Sequence, residues 1–108
     1  MSPIVKVIQP SGLLDGIKAK QLRHQISDLV ASGVDVVLID LENVKYVDSS
    51  GLGALIAIQR IMNTANGKLF LCSIQDQAKM LFELTKLNQE FDIFANQDEF
   101  NQTVLSPK

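Results

Sequence analysis

Apolar residues along this chain follow two alternating patterns, short continuous runs and stripes spaced three or four residues apart. The runs are rich in β-branched residues and predict strands, whereas the spaced stripes predict amphipathic helices. Strands are predicted at 4–8, 34–40, 68–72 and 91–94, with a brief additional strand at 13–15. Helices are predicted at about 17–31, 50–64, 76–86 and 96–104. This alternation indicates βαβ units, mostly parallel pairing and right-handed crossovers.

Two of the predicted strands have distinctive surroundings. The run 4–8 lies between Pro3 and Pro10, and because proline is confined to the edges and ends of sheets, the run predicts an edge strand. The run 34–40 is apolar without clean alternation, which is typical of a central strand covered on both faces. The segment 41–45 that follows it is interpreted as a connection.

The fold class that follows is α/β, with about four helices packed against a four- or five-stranded, mostly parallel sheet. We expect a single domain over residues 1–108, with 106–108 frayed. Each helix is expected to bury one stripe. The residues expected to face inward are Ile17, Leu22, Ile26, Leu29 and Val30 in the first helix, Leu52, Leu55, Ile56, Ile58 and Met62 in the second, and Met80, Leu81 and Leu84 in the third.

Composition and charge exclude several classes of function. The chain has 108 residues, 46% hydrophobic and 20% charged, with a net charge of −2. An acidic chain without a Lys/Arg cluster interleaved with aromatics gives no sign of nucleic-acid binding. No apolar run reaches the roughly 18 residues of a membrane span, the start does not resemble a signal peptide, and the single Cys72 is expected to be a buried, reduced thiol. A cytoplasmic location without membrane attachment is expected.

Two serines and an aspartate, Asp48, Ser49 and Ser50, stand where an apolar run gives way to a predicted helix. Asp48 or Ser50, rather than Ser49, is expected to cap the unpaired N–H groups of that helix. The same helix end also accommodates an anion such as a phosphate. Gly51 and Gly53 each cost about 1 kcal/mol in a helix relative to alanine, so we expect the bare backbone to serve a tight turn or a closely approaching partner.

An ordinary catalytic site is not visible around these residues. A nucleophile elbow would need glycine two residues before and after its serine, but Val47 precedes Ser49 and Leu52 follows Ser50 at those positions. The only histidine, His24, is expected at the surface of the first helix. The chain contains neither the G-x-G-x-x-G pattern of dinucleotide-binding folds nor the G-x-x-x-x-G-K-[S/T] pattern of phosphate-binding loops. One cysteine and one histidine are too few ligands for a typical zinc site. No enzyme, cofactor or metal site is therefore predicted, and the carboxylates Asp40, Glu42 and Asp48 are interpreted as solvated or capping groups.

The segments 36–41 and 44–53 together resemble the signature of STAS domains, specifically of bacterial anti-sigma factor antagonists. The resemblance covers nearly the whole chain, including Gly-Leu-Leu-Asp at 12–15 and Gly-Lys-Leu at 67–69. Its specific part is the run Asp-Ser-Ser-Gly-Leu-Gly at 48–53, whereas the apolar strands are generic. The resemblance implies a STAS-like domain.

The resemblance also implies a function and its residues. In the family, a partner that is both anti-sigma factor and serine kinase phosphorylates the serine directly after the motif aspartate, which here is Ser49. The unphosphorylated antagonist binds that partner and frees the sigma factor, and a PP2C-type serine phosphatase restores this form. The residues implied for the partner-binding surface are Asp15, Asp48, Ser50, Gly51, Leu52 and Gly53.

Other interpretations stay open from the sequence. STAS domains also serve as accessory or scaffold subunits of transport or signalling assemblies. A small-molecule sensor using a pocket at the carboxyl edge of the sheet, or an uncharacterised enzyme, is a further alternative. Monomer and weak homodimer are not distinguished.

Overall fold

The computed structural model of this chain describes residues 3–106. The strands and helices, in chain order, are β1 (Val5–Ile8), β2 (Gly12–Leu14), α1 (Gly16–Ala31), β3 (Val36–Asp40), β4 (Val44–Val47), α2 (Ser49–Thr64), β5 (Lys68–Cys72), α3 (Asp76–Leu84), β6 (Asp92–Phe94) and α4 (Gln97–Phe100). A 3₁₀ turn at Leu87–Gln89 precedes β6, and a π-helical segment, Asn101–Leu105, continues α4. Of the end predicted to fray, residues 107 and 108 lie outside the described residues.

The strands form two parallel sheets. Four strands pair in the order β1-β3-β5-β6, and β2 pairs with β4 in a separate two-stranded sheet. The predicted α/β class with a mostly parallel sheet is confirmed, as are the edge position of β1 and the central position of β3. All five residues of β3 are buried, because helices cover both of its faces.

Helices cover the four-stranded sheet unequally. Helices α1 and α2 pack side by side over one face, and their side chains join Val37, Ile39 and Leu71 in the larger core cluster. On the other face, Phe100 of α4 packs against Leu38 and Phe70. Successive strand residues point to opposite faces, so these side chains are divided between two cores. Within residues 3–106, no helix combines the length and apolar character needed to cross a membrane.

The free thiol of Cys72 lies in the smaller core. The side chain is fully buried, as expected from the sequence. Burial disfavours the thiolate and raises the pKa of Cys72 to about 11, with the negative charge of Asp40 adding to the shift and a hydrogen bond from Ser73 opposing it. Cys72 is therefore a protonated core residue at neutral pH.

Three apolar side chains that the helical stripes placed in the core are exposed instead. Ile17 is 72% exposed, Met80 is 59% exposed and Leu84 is 75% exposed. In α3 the buried pair is Ala78 and Phe82, one turn apart, and Phe82 packs against Phe91 with ring centroids 5.5 Å apart. That contact sets the buried face of α3, and Met80 and Leu84 lie away from it. The prediction that Ile17 faces the core was also wrong, because the buried stripe of α1 runs through Ala19, Leu22 and Ile26.

The segment interpreted as a connection, 41–45, contains the first half of a strand. Residues 44–47 form β4, which pairs in parallel with β2. Val44 and Val47 are buried while Lys45 and Tyr46 between them are exposed. This pattern lacks the strict alternation that predicts a strand, and two such short strands become stable only against the rest of the fold.

Candidate functional site

Two strand-to-helix corners lie side by side at the carboxyl end of the two-stranded sheet. Leu14, the last residue of β2, is paired in register with Val47, the last residue of β4. The residues that follow these two strands are Asp15 and Asp48, and each is the N-cap of the next helix. Both capping residues thus lie at the carboxyl end of the two-stranded sheet and not at that of the four-stranded sheet.

Both aspartates cap their helices in the same way. The Oδ1 atom of Asp15 accepts from the Lys18 backbone N–H at 3.1 Å, and that of Asp48 accepts from the Gly51 backbone N–H at 2.8 Å. Both residues have extended backbone angles, as N-caps do. Asp48, one of the two predicted caps, is confirmed in this role. Ser49 is consequently the first residue of α2, and its side chain is exposed.

The backbone leading into Ser49 is held from two sides. The N–H of Asp48 donates to the Leu14 carbonyl at 3.3 Å, toward β2. On the other side, the Gln77 side chain accepts from the Val47 N–H at 2.8 Å and donates to the Val47 carbonyl at 3.0 Å. Gln77 was not predicted as a site residue. A polar side chain in the first turn of a helix carries no sequence signal for a contact 30 residues away.

The two glycines of the first turn of α2 have different surroundings. A Cβ atom on Gly51 would overlap the Leu14 carbonyl oxygen and lie 3.0 Å from Leu14 Cγ, so this position has no room for a side chain. A Cβ atom on Gly53 would meet no atom within 4 Å. Gly51 is therefore required by packing within the protein, whereas nothing in the described chain accounts for Gly53.

The residues implied for partner binding are brought together but differ in exposure. Ser50 and Gly53 are exposed, as is the expected acceptor Ser49. The caps Asp15 and Asp48 are half-buried. Gly51 and Leu52 are buried, and Leu52 belongs to the core cluster. Ser50 and Gly53, together with the expected acceptor Ser49, thus form the open surface of this corner.

A groove of about 510 Å³ begins beside Ser50 and runs between α1 and α2. Its lining residues are Gly16, Ala19, Lys20, Arg23, His24 and Ser27 from α1 and Ser50, Gly53, Ala54 and Ile61 from α2. His24 is exposed, as expected from the sequence.

Asp40, interpreted from the sequence as solvated or capping, is only 1% exposed. Its Oδ2 atom accepts from Gln9 Nε2 at 2.9 Å and from Gln97 Nε2 at 2.7 Å, and its Oδ1 atom accepts from the Glu42 N–H at 3.0 Å. Burial raises the pKa of this carboxyl, but the hydrogen bonds together outweigh burial and hold the pKa below its usual value. Asp40 therefore joins separate segments of the fold as an ionised group, and the expectation of a solvated side chain was wrong.

The amino-acid sequence matches a known protein family. The sequence pattern of the STAS domain matches residues 2–100. This chain belongs to the STAS domain family. An aligned segment of 80 residues, 74% of each chain, is 29% identical to the anti-sigma-B factor antagonist of Staphylococcus aureus strain NCTC 8325.

Solved structures share the fold at lower sequence identity. The anti-sigma factor antagonist SpoIIAA in its unphosphorylated form superimposes with a TM-score of 0.76 at 21% identity, covering 99% of this chain and 94% of SpoIIAA. The phosphorylated form of Bacillus SpoIIAA gives a TM-score of 0.72 at 20% identity, covering 94% and 92%. A sulfate transporter family protein from Wolinella succinogenes gives 0.81 at 16% identity, covering 95% and 88%. The fold is thus shared by proteins with different names, and function has to be argued from the site.

Proposed function

We propose that this protein is an anti-sigma factor antagonist controlled by phosphorylation. In the unphosphorylated form it binds an anti-sigma factor that is also a serine kinase, and the sigma factor is released. Phosphorylation of Ser49 by that kinase ends the binding, and a PP2C-type serine phosphatase restores it. The observation that carries the proposal is the exposed Ser49 hydroxyl, placed directly after the capping residue Asp48 at the start of α2.

The fold around Ser49 is suited to carry a phosphate. Phosphorylation adds about −1.5 to −2 charge at neutral pH. The start of α2 presents unpaired backbone N–H groups and the positive end of the helix dipole, which stabilise an anion. The capping carboxylate of Asp48 already engages the Gly51 N–H, so it is held toward the helix. We therefore expect the phosphorylated protein to stay folded.

Binding responds to the phosphate more strongly than folding does. The open surface at this corner is made by Ser49, Ser50 and Gly53, which are small and uncharged. A partner that packs closely over them would have to bury a hydrated dianion after phosphorylation. An unpaired buried charge costs several kcal/mol, and about 1.4 kcal/mol is a tenfold change in affinity. One phosphate is enough to separate a bound from an unbound state.

The proposed contact surface comprises the two capped corners. Asp15 and Asp48 flank it as half-buried carboxylates, and Ser50 and Gly53 supply its open face. Gly51 and Leu52 act from beneath, since both are buried and set the position of the first turn of α2. The protein would act as a cytoplasmic, single-domain binding module in transcription regulation, with its partner supplying the catalysis.

The direct test is to map the modified residue. The partner is first captured from the source organism with the wild-type protein and with Ser49→Asp as baits, and the protein retained by wild type alone is purified. Wild type is then incubated with that protein and ATP, and the phosphate is located by mass spectrometry. We expect one phosphate, on Ser49.

Two variants serve as controls in the same assay. Ser49→Ala is expected to accept no phosphate, whereas Ser50→Ala keeps the neighbouring acceptor and is expected to be modified. Phosphate on Ser50 or elsewhere in wild type would overturn the choice of Ser49. A captured protein without kinase activity would contradict the proposed control by phosphorylation.

A further inference from the structure

Gln77 hydrogen-bonds the backbone of Val47, the last residue of β4, at the point where the chain turns toward Ser49. In the two-stranded sheet, β4 has β2 on one side only. On the opposite side, the planar side-chain amide of Gln77 accepts from the Val47 N–H at 2.8 Å and donates to the Val47 carbonyl at 3.0 Å. One side chain thus gives Val47 the donor and acceptor that a residue of a neighbouring strand would supply.

These two bonds are required where they occur. The Val47 side chain is fully buried, and β4 is covered by α3 on this side. Buried backbone N–H and carbonyl groups are almost always paired, because an unpaired one loses its hydrogen bonds to water without replacement. An apolar side chain at position 77 would leave both Val47 groups without these partners.

The peptide unit between Val47 and Asp48 is fixed by one bond on each side. Its carbonyl accepts from Gln77 Nε2, and its N–H donates to the Leu14 carbonyl at 3.3 Å. Asp48 then caps Gly51, so the orientation of this peptide decides where the first turn of α2 begins. The bond to Gln77 is the shorter of the two. Without it, only the longer bond to the Leu14 carbonyl fixes the orientation of this peptide unit.

We propose that Gln77 is a positioning residue for Ser49: by clamping Val47, it holds the corner in the geometry that the kinase requires. This inference rests on the proposed function in so far as it concerns phosphorylation. Phosphoryl transfer depends on an in-line arrangement of acceptor oxygen and phosphate, and a misplacement of about 1 Å can cost roughly 100-fold in rate. Gln77 itself touches neither group and acts through the backbone of Val47 and Asp48.

Amide hydrogen exchange measured by NMR tests the clamp in the protein alone. Gln77→Met keeps the length of the side chain and removes both hydrogen bonds. We expect it to remain folded, with the Val47 amide exchanging about tenfold faster or more, since about 1.4 kcal/mol is a factor of ten, and with faster exchange at Gly51. The matched control is Gln59→Met, which removes a bond of 2.7 Å from a glutamine side chain to the Glu90 carbonyl and should leave Val47 unchanged.

A second variant gives a signature that loss of packing would not produce. In Gln77→Glu the carboxylate still accepts from the Val47 N–H but repels the Val47 carbonyl, so its pKa should be raised in the folded protein. Protonation restores a donor. Protection of Val47, corrected for the intrinsic pH dependence of exchange, should therefore increase as pH falls through that pKa, and Gln77→Met should show no such increase.

Steady-state phosphorylation by the purified kinase tests the consequence for Ser49. We expect kcat for Gln77→Met to fall about tenfold while KM and the affinity without ATP stay close to wild type, because the contact surface is intact and only the acceptor is displaced. Gln59→Met should match wild type in both constants.

The outcomes separate this inference from the proposed function. Unchanged exchange at Val47 and Gly51 in Gln77→Met, or faster exchange with unchanged kcat, would overturn the role of Gln77 and leave the proposed function standing. Wild type that accepts no phosphate on Ser49 would overturn the proposed function. In that case faster exchange at both amides would still support Gln77 as the residue that positions this corner.

Discussion

The two capped corners of this protein share a backbone design and differ in the side chains displayed on it. In both, a parallel strand of the small sheet ends in a buried apolar residue, an aspartate caps the next helix through Oδ1, and the helix begins one residue later. The residue that follows the aspartate is Gly16 in the first corner and Ser49 in the second. Only the second corner offers a hydroxyl at the first helical position.

The two corners show which residues are needed to cap a helix and which are exposed without a role in the cap. If the second corner served only to begin a helix, Asp48 would suffice, as Asp15 does in the first corner. The serine after Asp48 is not needed for the cap, and Gly53 lies over open space. The second corner therefore carries exposed features that its structural role does not explain, and these are the features expected of a recognition surface.

The largest expected effect comes from placing a charge at the second corner. Ser49→Asp should weaken binding to the partner kinase by about 100-fold or more, because a partner surface built around a neutral hydroxyl would bury an unpaired charge. Ser49→Ala should bind like unphosphorylated wild type. Isothermal titration calorimetry measures both. Gly16→Asp places the same charge at the first corner, where a Cβ atom meets only Ser50 at 3.8 Å, and should weaken binding less because Gly16 carries no acceptor hydroxyl. Equal losses for both aspartates would mean that the partner does not distinguish the two corners.

Alanine at the two glycines of α2 should have opposite effects on stability. Gly51→Ala should lower the free energy of unfolding by about 2–3 kcal/mol, because the new Cβ overlaps the Leu14 carbonyl. Gly53→Ala should raise it by up to about 1 kcal/mol, since alanine is the better helix former and the space is open. Urea denaturation measures both.

The affinity of the Gly51→Ala and Gly53→Ala variants for the kinase tests whether Gly53 belongs to the contact surface. If the kinase packs closely over Gly53, Gly53→Ala should bind more weakly even though it is more stable. Unchanged affinity would remove Gly53 from the proposed contact surface, and a stable Gly51→Ala protein would contradict the close packing of the two corners.

The capping aspartates should contribute equally to stability. Asp15→Ala and Asp48→Ala should each lower the free energy of unfolding by about 1 kcal/mol, the usual cost of losing an N-cap, and asparagine at either position should restore most of it. Thermal and urea denaturation provide the measurement. A much larger loss at Asp48 would show that the second corner depends on its aspartate for more than the cap.

The smallest effect is expected from copying the serine into the first corner. Gly16→Ser creates a second Asp-Ser corner, and its Cβ has ordinary contacts with Ser50. We expect stability close to wild type and phosphate on Ser49 alone, since the first corner lacks the clamp by Gln77 and the glycines that follow Ser49. Modification of the new serine, detected by mass spectrometry, would show that an Asp-Ser pair at a strand-to-helix corner is sufficient for the kinase.

Much of the fold could be predicted because the signals are local. The bounds of β5 agree with the predicted 68–72, and the central position of β3 follows from apolar residues on both faces. The buried face of α3 could not be predicted in this way. Of the predicted stripe, Leu81 packs against the core, but Met80 and Leu84 are exposed because the contact of Phe82 with Phe91 selects the buried face. Strand β4 was missed because its partner β2 is distant in sequence and even shorter.

The chemistry available at the site follows from residues that are neighbours in the sequence. Asp48 as a cap, Ser49 as the following hydroxyl and a helix start that tolerates phosphate all follow from residues adjacent in the chain. The tertiary structure decided how that chemistry is presented. The pairing of the two corners, the need for glycine at position 51 and the clamp by Gln77 each join segments that are 30 to 37 residues apart. Such contacts arise only when the chain packs, because local propensity specifies a residue's conformation but not which distant residue it meets.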